Sequence, residues 1–552
     1  METLGKSLNG GQILANALVR QNVDMAFGVP GESFLPLLNG LVDHPQFQFI
    51  TCRQEGGAAY MAEAYGKLTG KPGVLMVTRG PGASNAMVGV HTAYQDSTPM
   101  VLLIGQVGTD MVEREAFQEI DYRRMYSECA KWVGSIDRVD RIDEFVSHAF
   151  HIAQAGRKGP VVLALPEDVL YLSGEEHPVA PAHIVQPGLD DKAFEQAMQV
   201  FANAKRPMIV AGGGNWNRAA CDMLSAWANR EGIPVATSFR SQDLLDNLDP
   251  IFAGDLGIGA NPVLVKRIQE ADVLLVIGER LGEMTTAGYS LLSVPKAKNI
   301  LIHVHSGSEE LGRVYRPDYA LNCSPENFCA ALSAVKMGGN HDCNSGKAAH
   351  AEYLDFAAPV TVPGNLQLAQ IMASLVKSIP RDSIVTNGAG NFATWVHRFY
   401  PYGPFKTQLA PANGSMGYGL PAAVAAKIVC PQKLVIAVCG DGDFMMNCQE
   451  LATAARYDAF PIVFVVNNSM LGTIRMHQER EFKSRVIATG LTNPDFVKFA
   501  DSFGIPGFRV STTEEFGPAF AKALESKKGA LIELVLDQEV ISPSKRLSQL
   551  GK

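Results

Sequence analysis

From Cys439 the chain reads CGDGDFMMNCQELATAARYDAFPIVFVVNNS. One apolar run, KLVIAVCG, meets Asp441; a second, PIVFVV, meets Asn467 and Asn468, the latter 27 positions after Asp441. The stretch between them has helix-forming composition and apolar spacing, so the segment reads as a βαβ unit. Its two parallel strands would deliver both polar ends to the same edge of one sheet. A carboxylate and an amide oxygen brought together there suit a hard divalent cation such as Mg²⁺, which takes its remaining octahedral positions from phosphate and water. Gly440 and Gly442, flanking Asp441, let the backbone come close to phosphate oxygens. A lone Gly-Asp-Gly is an ordinary turn. It is the spacing, the helix and the two strands together that point to a metal-held diphosphate.

The elements that must position these residues recur along the whole chain. A short aliphatic run stops at Gly or a polar residue and a helical stretch follows, as in GVLMVTRGPGASN, PMVLLIGQVG, RPMIVAGGGN, ADVLLVIGERLG, DSIVTNGAGN and KLVIAVCGDG. Continuous apolar strands alternating with helices imply parallel sheets covered on both faces. Ligands of such sheets lie beyond the carboxyl ends of the strands. Two Pro- and Gly-rich polar stretches, residues 174–191 and 337–365, read as linkers. The expected fold is therefore α/β, with three doubly wound parallel-sheet domains at about residues 1–173, 190–335 and 365–545.

Composition narrows the function classes. With 552 residues the chain exceeds one core, and its formal net charge of −8, without a dense Lys/Arg block, argues against nucleic acid. No apolar run approaches the roughly 20 residues that span a bilayer. The N-terminus lacks the apolar segment of a secretory signal, and the nine cysteines are scattered without a CxxC pair. Reduced thiols in a cytoplasmic protein are the expectation. A nicotinamide dehydrogenase would need Gly-x-Gly-x-x-Gly after the first strand, which FGVPGESF does not supply.

The metal-and-diphosphate pattern resembles the cofactor motif of thiamine diphosphate enzymes, and other segments resemble the acetolactate (acetohydroxyacid) synthase family. CRQEGGAAY resembles its His-Glu-x-Gly-Ala pattern with Gln54 in place of His. TRGPGASN, TAYQDSTPMVLLIGQV, AFQEIDY and NGSMGYGLPAA match further family segments in order. The resemblance implies a pyrimidine-binding, a central and a diphosphate-binding domain. It implies that Asp441, Asn468 and the Met470 carbonyl hold Mg²⁺, that Glu55 activates the cofactor, and that Met416 bends it while the Gly414 carbonyl accepts from its amine. The loop TNGAGNF, with Gly388, Gly390 and Asn391, suits the diphosphate, together with Gly440, Gly442 and Asp443. Gln118 would face the substrate. Taken alone, Glu55 in the first turn of a helix also reads as a dipole-compensating residue. A non-catalytic copy of the fold need not keep Glu55, Asp441 and Asn468 together.

The implied reaction is decarboxylation of a 2-oxo acid, by default pyruvate, followed by transfer of the acyl carbanion to an acceptor. The implied assembly is a homodimer or homotetramer with active sites at the subunit interface. Three departures bear on the substrate. The family's acceptor-binding Arg aligns with Met284, and a family Trp that shapes acceptor choice is replaced by His477. HVHSGSEELG stands where the family binds FAD through an Asp-Ile-Asp segment. FAD thus remains open, VAGGGNW serving as phosphate cradle or as plain turn, and His303 with His305 as metal pair or as packing residues. Lys131 matches a family lysine near the site entrance, and an exposed solvated Lys is the competing account. The alternative reaction is that of a decarboxylase or a C–C lyase/carboligase acting on a different 2-oxo acid or a 2-hydroxy ketone.

Overall fold

A computed structural model describes residues 8–181 and 183–550. The described residues form three six-stranded sheets in which every strand pair is parallel. The first contains β1 (Met25–Gly28), β2 (Gln48–Thr51), β3 (Gly73–Val77), β4 (Met100–Gln106), β5 (Trp132–Ser135) and β6 (Pro160–Pro166), in the order β2-β1-β3-β4-β6-β5. Its central strands are continuous apolar runs, buried along their whole length in β3 and β6 because helices cover both faces.

The second sheet holds β7 (Pro207–Ala211), β8 (Val235–Thr237), β9 (Phe252–Asp255), β10 (Val273–Ile277), β11 (Ile300–His305) and β12 (Tyr319–Asn322), ordered β9-β8-β7-β10-β11-β12. Separate apolar clusters line its two faces, one around Phe201, Trp227 and Phe328, the other around Leu264, Leu274 and Leu301. The third contains β13 (Ile384–Asn387), β14 (Gln408–Leu409), β15 (Val435–Gly440), β16 (Ile462–Asn467), β17 (Gly507–Val510) and β18 (Ala530–Val535), ordered β14-β13-β15-β16-β18-β17. In each sheet the strand order reverses between neighbours near its middle, β1 and β3, β7 and β10, and β13 and β15. Such switch points open a crevice at the carboxyl ends of the strands.

The stretch 337–365 carries a helix, Ser345–Phe356, whose Glu352 pairs with Arg267 of the central domain. By contact density the chain falls into two compact units. One runs to Val185 and includes Val424–Val429 and Gln449–Tyr457; the other comprises Gln186–Ala423, Cys430–Cys448 and the residues from Asp458 onward. No helix among the described residues is long and apolar enough to cross a membrane.

Candidate active site

In the second unit, the register of β15 against β16 pairs Gly440 with Val466, so Asp441 and Asn467 emerge side by side and Asn468 follows. A cavity of about 230 Å³ opens there, at the β13/β15 switch point. Ten of the residues expected at a cofactor line it: Gly390, Asn391, Gly414, Met416, Gly440, Asp441, Gly442, Asp443, Asn468 and Met470. Gly388 stands just behind, where a Cβ would fall 1.9 Å from Asp443 Oδ1. Only glycine lets the β13 loop approach that carboxylate.

Asp441 is 3% exposed, and among the described residues no Lys or Arg forms an ion pair with it. Burial pushes its carboxyl up, opposed by the Asn493 amide, which donates to Oδ2 at 2.7 Å. The same Asn493 amide donates to Asn467 Oδ1 at 3.0 Å, and Asn467 in turn donates to the buried Glu533 at 2.7 Å. A buried carboxylate with neutral donors and no cation is costly, and a bound cation resolves it. Among the described residues no three His, Cys, Asp or Glu side chains gather as a metal cluster. One carboxylate, one amide oxygen and a backbone carbonyl form the oxygen-rich, singly charged set that suits Mg²⁺ sharing its shell with phosphate.

Asp443 plays a different part. Its Oδ1 accepts from the backbone N–H of Gly417 at 2.7 Å and of Ala389 at 3.3 Å, so it ties the 388–391 loop to the 414–417 loop. Burial pushes its carboxyl up to about 7, and Oδ2 is buried without a hydrogen-bond partner. Asn391 is set by Thr473, whose hydroxyl donates to Oδ1 at 2.9 Å. Thr473 and Ile474 belong to the helix Gly472–Glu481, none of whose residues is buried. His477 lies on that helix outside the cavity lining, its Nδ1 2.7 Å from an Arg480 nitrogen.

Glu55, Gln118 and Lys131 lie in the first unit. Glu55 is the first residue of the helix Glu55–Thr69, half-buried, with Oε2 receiving the Asn85 amide at 2.9 Å. Asn85 rides on the neighbouring helix Gly80–Asp96. Gln118 adopts a left-handed φ of 65°, and its carbonyl accepts from Gly80 N–H at 3.0 Å, which pins its loop to the start of that helix. The Lys131 ammonium donates to the carbonyls of Ile152 and Ala155 at 2.5 and 2.6 Å, at the C-terminal end of the helix Ile142–Gln154. A cation there complements the helix dipole.

In the central domain, Gly212 and Gly278 meet at the β7/β10 switch point, where a Cβ on Gly278 would lie 2.6 Å from the Gly212 carbonyl. Arg280 follows, half-buried and without a hydrogen-bond or ion-pair partner among the described residues, and Thr237 Oγ1 and Ser306 Oγ are buried without partners. Met284 is half-buried in the same loop. His303 Nε2 donates to the Glu279 carbonyl at 2.8 Å, and His305 Nδ1 meets the Gly307 backbone. Burial pushes the His305 imidazole down to about 4 and lowers His303 as well, and His303 Nδ1 is buried with no hydrogen-bond partner among the described residues.

Sequence reasoning singled out neither Asn493 nor Asn85. Asn493 lies 52 residues from Asp441 in a loop, and only the fold brings it there. Asn85 closes the quoted TRGPGASN segment, whose start on a helix was the available signal.

Three domain models match the chain in order. Residues 8–125 match the N-terminal TPP binding domain of thiamine pyrophosphate (diphosphate) enzymes, 194–332 the central domain, and 388–534 the C-terminal TPP binding domain. The chain is 30% identical to a probable acetolactate synthase large subunit of Methanocaldococcus jannaschii, over 98% of this chain and 95% of that one. It is 30% identical to acetolactate synthase isozyme 2 large subunit of Escherichia coli K12, over 96% of each chain. The acetolactate synthase large subunit of Corynebacterium glutamicum is likewise 30% identical, over 96% of this chain and 87% of that one. The end-to-end alignment and the three domains in order mean that this chain belongs to the thiamine diphosphate-dependent enzymes, in the family of acetolactate synthase-like large subunits.

Proposed function

We propose that the enzyme uses thiamine diphosphate with Mg²⁺ to decarboxylate a 2-oxo acid, pyruvate by default, and to pass the remaining acyl unit to an acceptor. The observation that carries this reading is Asp441, a buried carboxylate without a cation, beside Asn468 in a cavity walled by glycine loops. Bound thiamine diphosphate supplies a nucleophilic carbon that adds to the donor carbonyl and accommodates the electrons left when CO₂ departs. Asp441, the Asn468 amide oxygen and the Met470 carbonyl would hold Mg²⁺. The 388–391 loop would lend its backbone to diphosphate oxygens, and Met416 with the Gly414 carbonyl would orient the pyrimidine. Glu55 would hold and release a proton at the far nitrogen of the pyrimidine, with Asn85 fixing its carboxylate. Gln118 and His477 would line the approach of substrate.

The cavity's size supports an assembly of two copies or more. At about 230 Å³ it falls below the roughly 300–1,000 Å³ of sites that enclose a cofactor-sized ligand. Every lining residue belongs to the second unit, and a surface of a second copy is the wall this proposal adds. A flavin dinucleotide in the central domain is part of the proposal, supported by the Arg280 guanidinium, without a partner among the described residues, and by the buried Thr237 and Ser306 hydroxyls at the carboxyl ends of β8 and β11. Acid extraction of the purified protein tests it: a colourless extract removes FAD from the proposal. Nine free cysteines, six of them buried, support a reducing compartment such as the cytoplasm.

The test of the reaction is acid-quenched proton NMR of the protein with thiamine diphosphate, Mg²⁺ and pyruvate. Acetolactate as product supports the reading. Absence of both acetolactate and a pyruvate adduct of the cofactor overturns pyruvate as donor. A second reading, a decarboxylase or C–C lyase acting on another 2-oxo acid or a 2-hydroxy ketone, is favoured by Met284, since an apolar side chain cannot form the bidentate pair that holds a carboxylate-bearing acceptor.

A further inference from the structure

The helix that opens with Glu55 starts from an unusual support. The first N–H groups of a helix have no partner within it. Here the Gln54 side chain accepts from Gly57 N–H at 3.0 Å, as an N-cap does. The two preceding peptide groups find their acceptor far along the chain. Arg53 N–H donates to Glu450 Oε1 and Oε2 at 3.2 and 3.3 Å, and Gln54 N–H donates to Oε1 at 3.1 Å. Glu450 is 0% exposed; burial pushes its carboxyl up, opposed by its hydrogen bonds and by the charge of Arg53. Its Oε2 takes the Thr453 hydroxyl at 2.5 Å. A Cβ on Gly57 would stand 2.7 Å from Oε1, so only glycine admits the carboxylate to the first turn of the helix. Seven residues further on, Tyr457 receives Thr51 N–H at 2.8 Å and reaches the Phe49 carbonyl at 3.1 Å. The segment Glu450–Tyr457 thus grips the end of β2 and the turn into the helix at both ends, and all of it lies within the first unit.

We infer that Glu450 is the positioning residue for Glu55: it fixes the Arg53 and Gln54 peptides so that the Glu55 carboxylate leaves the first turn of the helix in one direction, toward the Asn85 amide. Holding a carboxylate fully buried costs stability, offset here by three hydrogen-bond donors and the Arg53 charge. Such a cost is retained at a place where geometry matters more than packing. Glu450 touches neither cofactor nor substrate, and its effect passes through the backbone of two residues. The inference rests on the proposed role of Glu55.

The test compares the full-length protein with E450A, E450Q and E55Q. Three quantities are read: Mg²⁺-dependent thiamine diphosphate affinity, the rate at which the bound cofactor exchanges its C2 proton for deuterium, and hydrogen exchange of the Arg53 and Gln54 amides without cofactor. Both peptide bonds to Glu450 use Oε1, which a glutamine retains. E450Q is therefore expected to keep the C2 exchange rate. E450A is expected to slow it by on the order of tenfold to a hundredfold, as misplacement of a catalytic group by about an ångström does. Cofactor affinity should stay within about twofold in E450A, because the diphosphate cavity is lined by the other unit alone. Wild-type C2 exchange in E450A overturns the inference. If E450A does not fold, the amides decide: strong protection of Arg53 and Gln54 retained in E450Q supports the bonds to Oε1, whereas exchange as fast as exposed amides in the wild type, or protection lost in E450Q, overturns them. The E55Q control separates the two levels, since unchanged C2 exchange in E55Q sinks the role of Glu55 itself, whatever Glu450 does.

Discussion

Asn493 shows what single residues contribute beyond the motif. Its amide bridges Asp441 Oδ2 and Asn467 Oδ1 and so ties the carboxylate to the end of the neighbouring strand. Replacing a residue that orients a metal ligand weakens metal binding by about 10- to 100-fold. Asn493→Ala should therefore weaken Mg²⁺ binding by that factor, read by titrating the metal at saturating thiamine diphosphate; unchanged affinity would show that Asp441 orients itself. The Gly-Asp-Gly and Asn-Asn pattern was legible in the sequence because strand, turn and helix lie within one short βαβ unit whose geometry is local. Asn493 was not, since a loop 52 residues on joins the site only through tertiary structure. Lys131 shows the converse. Its place in an aligned segment suggests an entrance to the site, whereas its ammonium is committed to two carbonyls at a helix end, a partner no linear pattern displays.

At the level of elements, the long central strands were readable as unbroken apolar runs, because burial on both faces leaves no room for polar alternation. Short strands escaped the same reading. β8, β14 and β17 have three, two and four residues, and β14 and β17 lie at sheet edges, where one side needs no apolar partner. The close packing of the helices Glu55–Thr69 and Gly80–Asp96 was also invisible, yet it sets how Asn85 meets Glu55. A Cβ on Gly89 would lie 2.3 Å from the Ala59 Cβ, so the pair touches backbone to backbone. Gly89→Ala should lower stability by about 1–3 kcal/mol, the usual cost of overpacking, and it should shift Asn85 away from Glu55. Thermal denaturation reads the first effect and kcat the second. In the second unit, burial pushes the Asp255 carboxyl up to about 7, with the Gln242 amide 3.3 Å away. A carboxyl raised above its unfolded value stabilises fully below that value, and the contribution is lost as pH rises through the folded one. Asp255→Asn should therefore gain stability relative to wild type between about pH 4 and about pH 7, measured as the difference in urea midpoints, and a difference flat with pH would contradict the shift.

For the molecule as a whole, the three-domain order could be read from repeated strand–glycine–helix segments, and the family from aligned motifs. The assembly was given only as an implication of that resemblance, because surfaces that meet a second copy follow no linear pattern. Its test can nevertheless be built from two residues of this chain. Glu55 belongs to the first unit, and the cavity around Asp441 is lined by the second unit alone. If each site takes Glu55 from one copy and Asp441 from its partner, a dimer of one Glu55→Gln chain and one Asp441→Asn chain has one site with both substitutions and one with neither. Each variant alone should be inactive. Unfolded together and refolded at equal amounts, about half the dimers are hybrids with one intact site of two, so the mixture should recover about a quarter of wild-type activity. If both residues of a site come from the same chain, every site in every dimer carries one substitution, and mixing recovers nothing. Recovery would also fix the size of the smallest active species, since the hybrid's activity would fall on dilution as the dimers part.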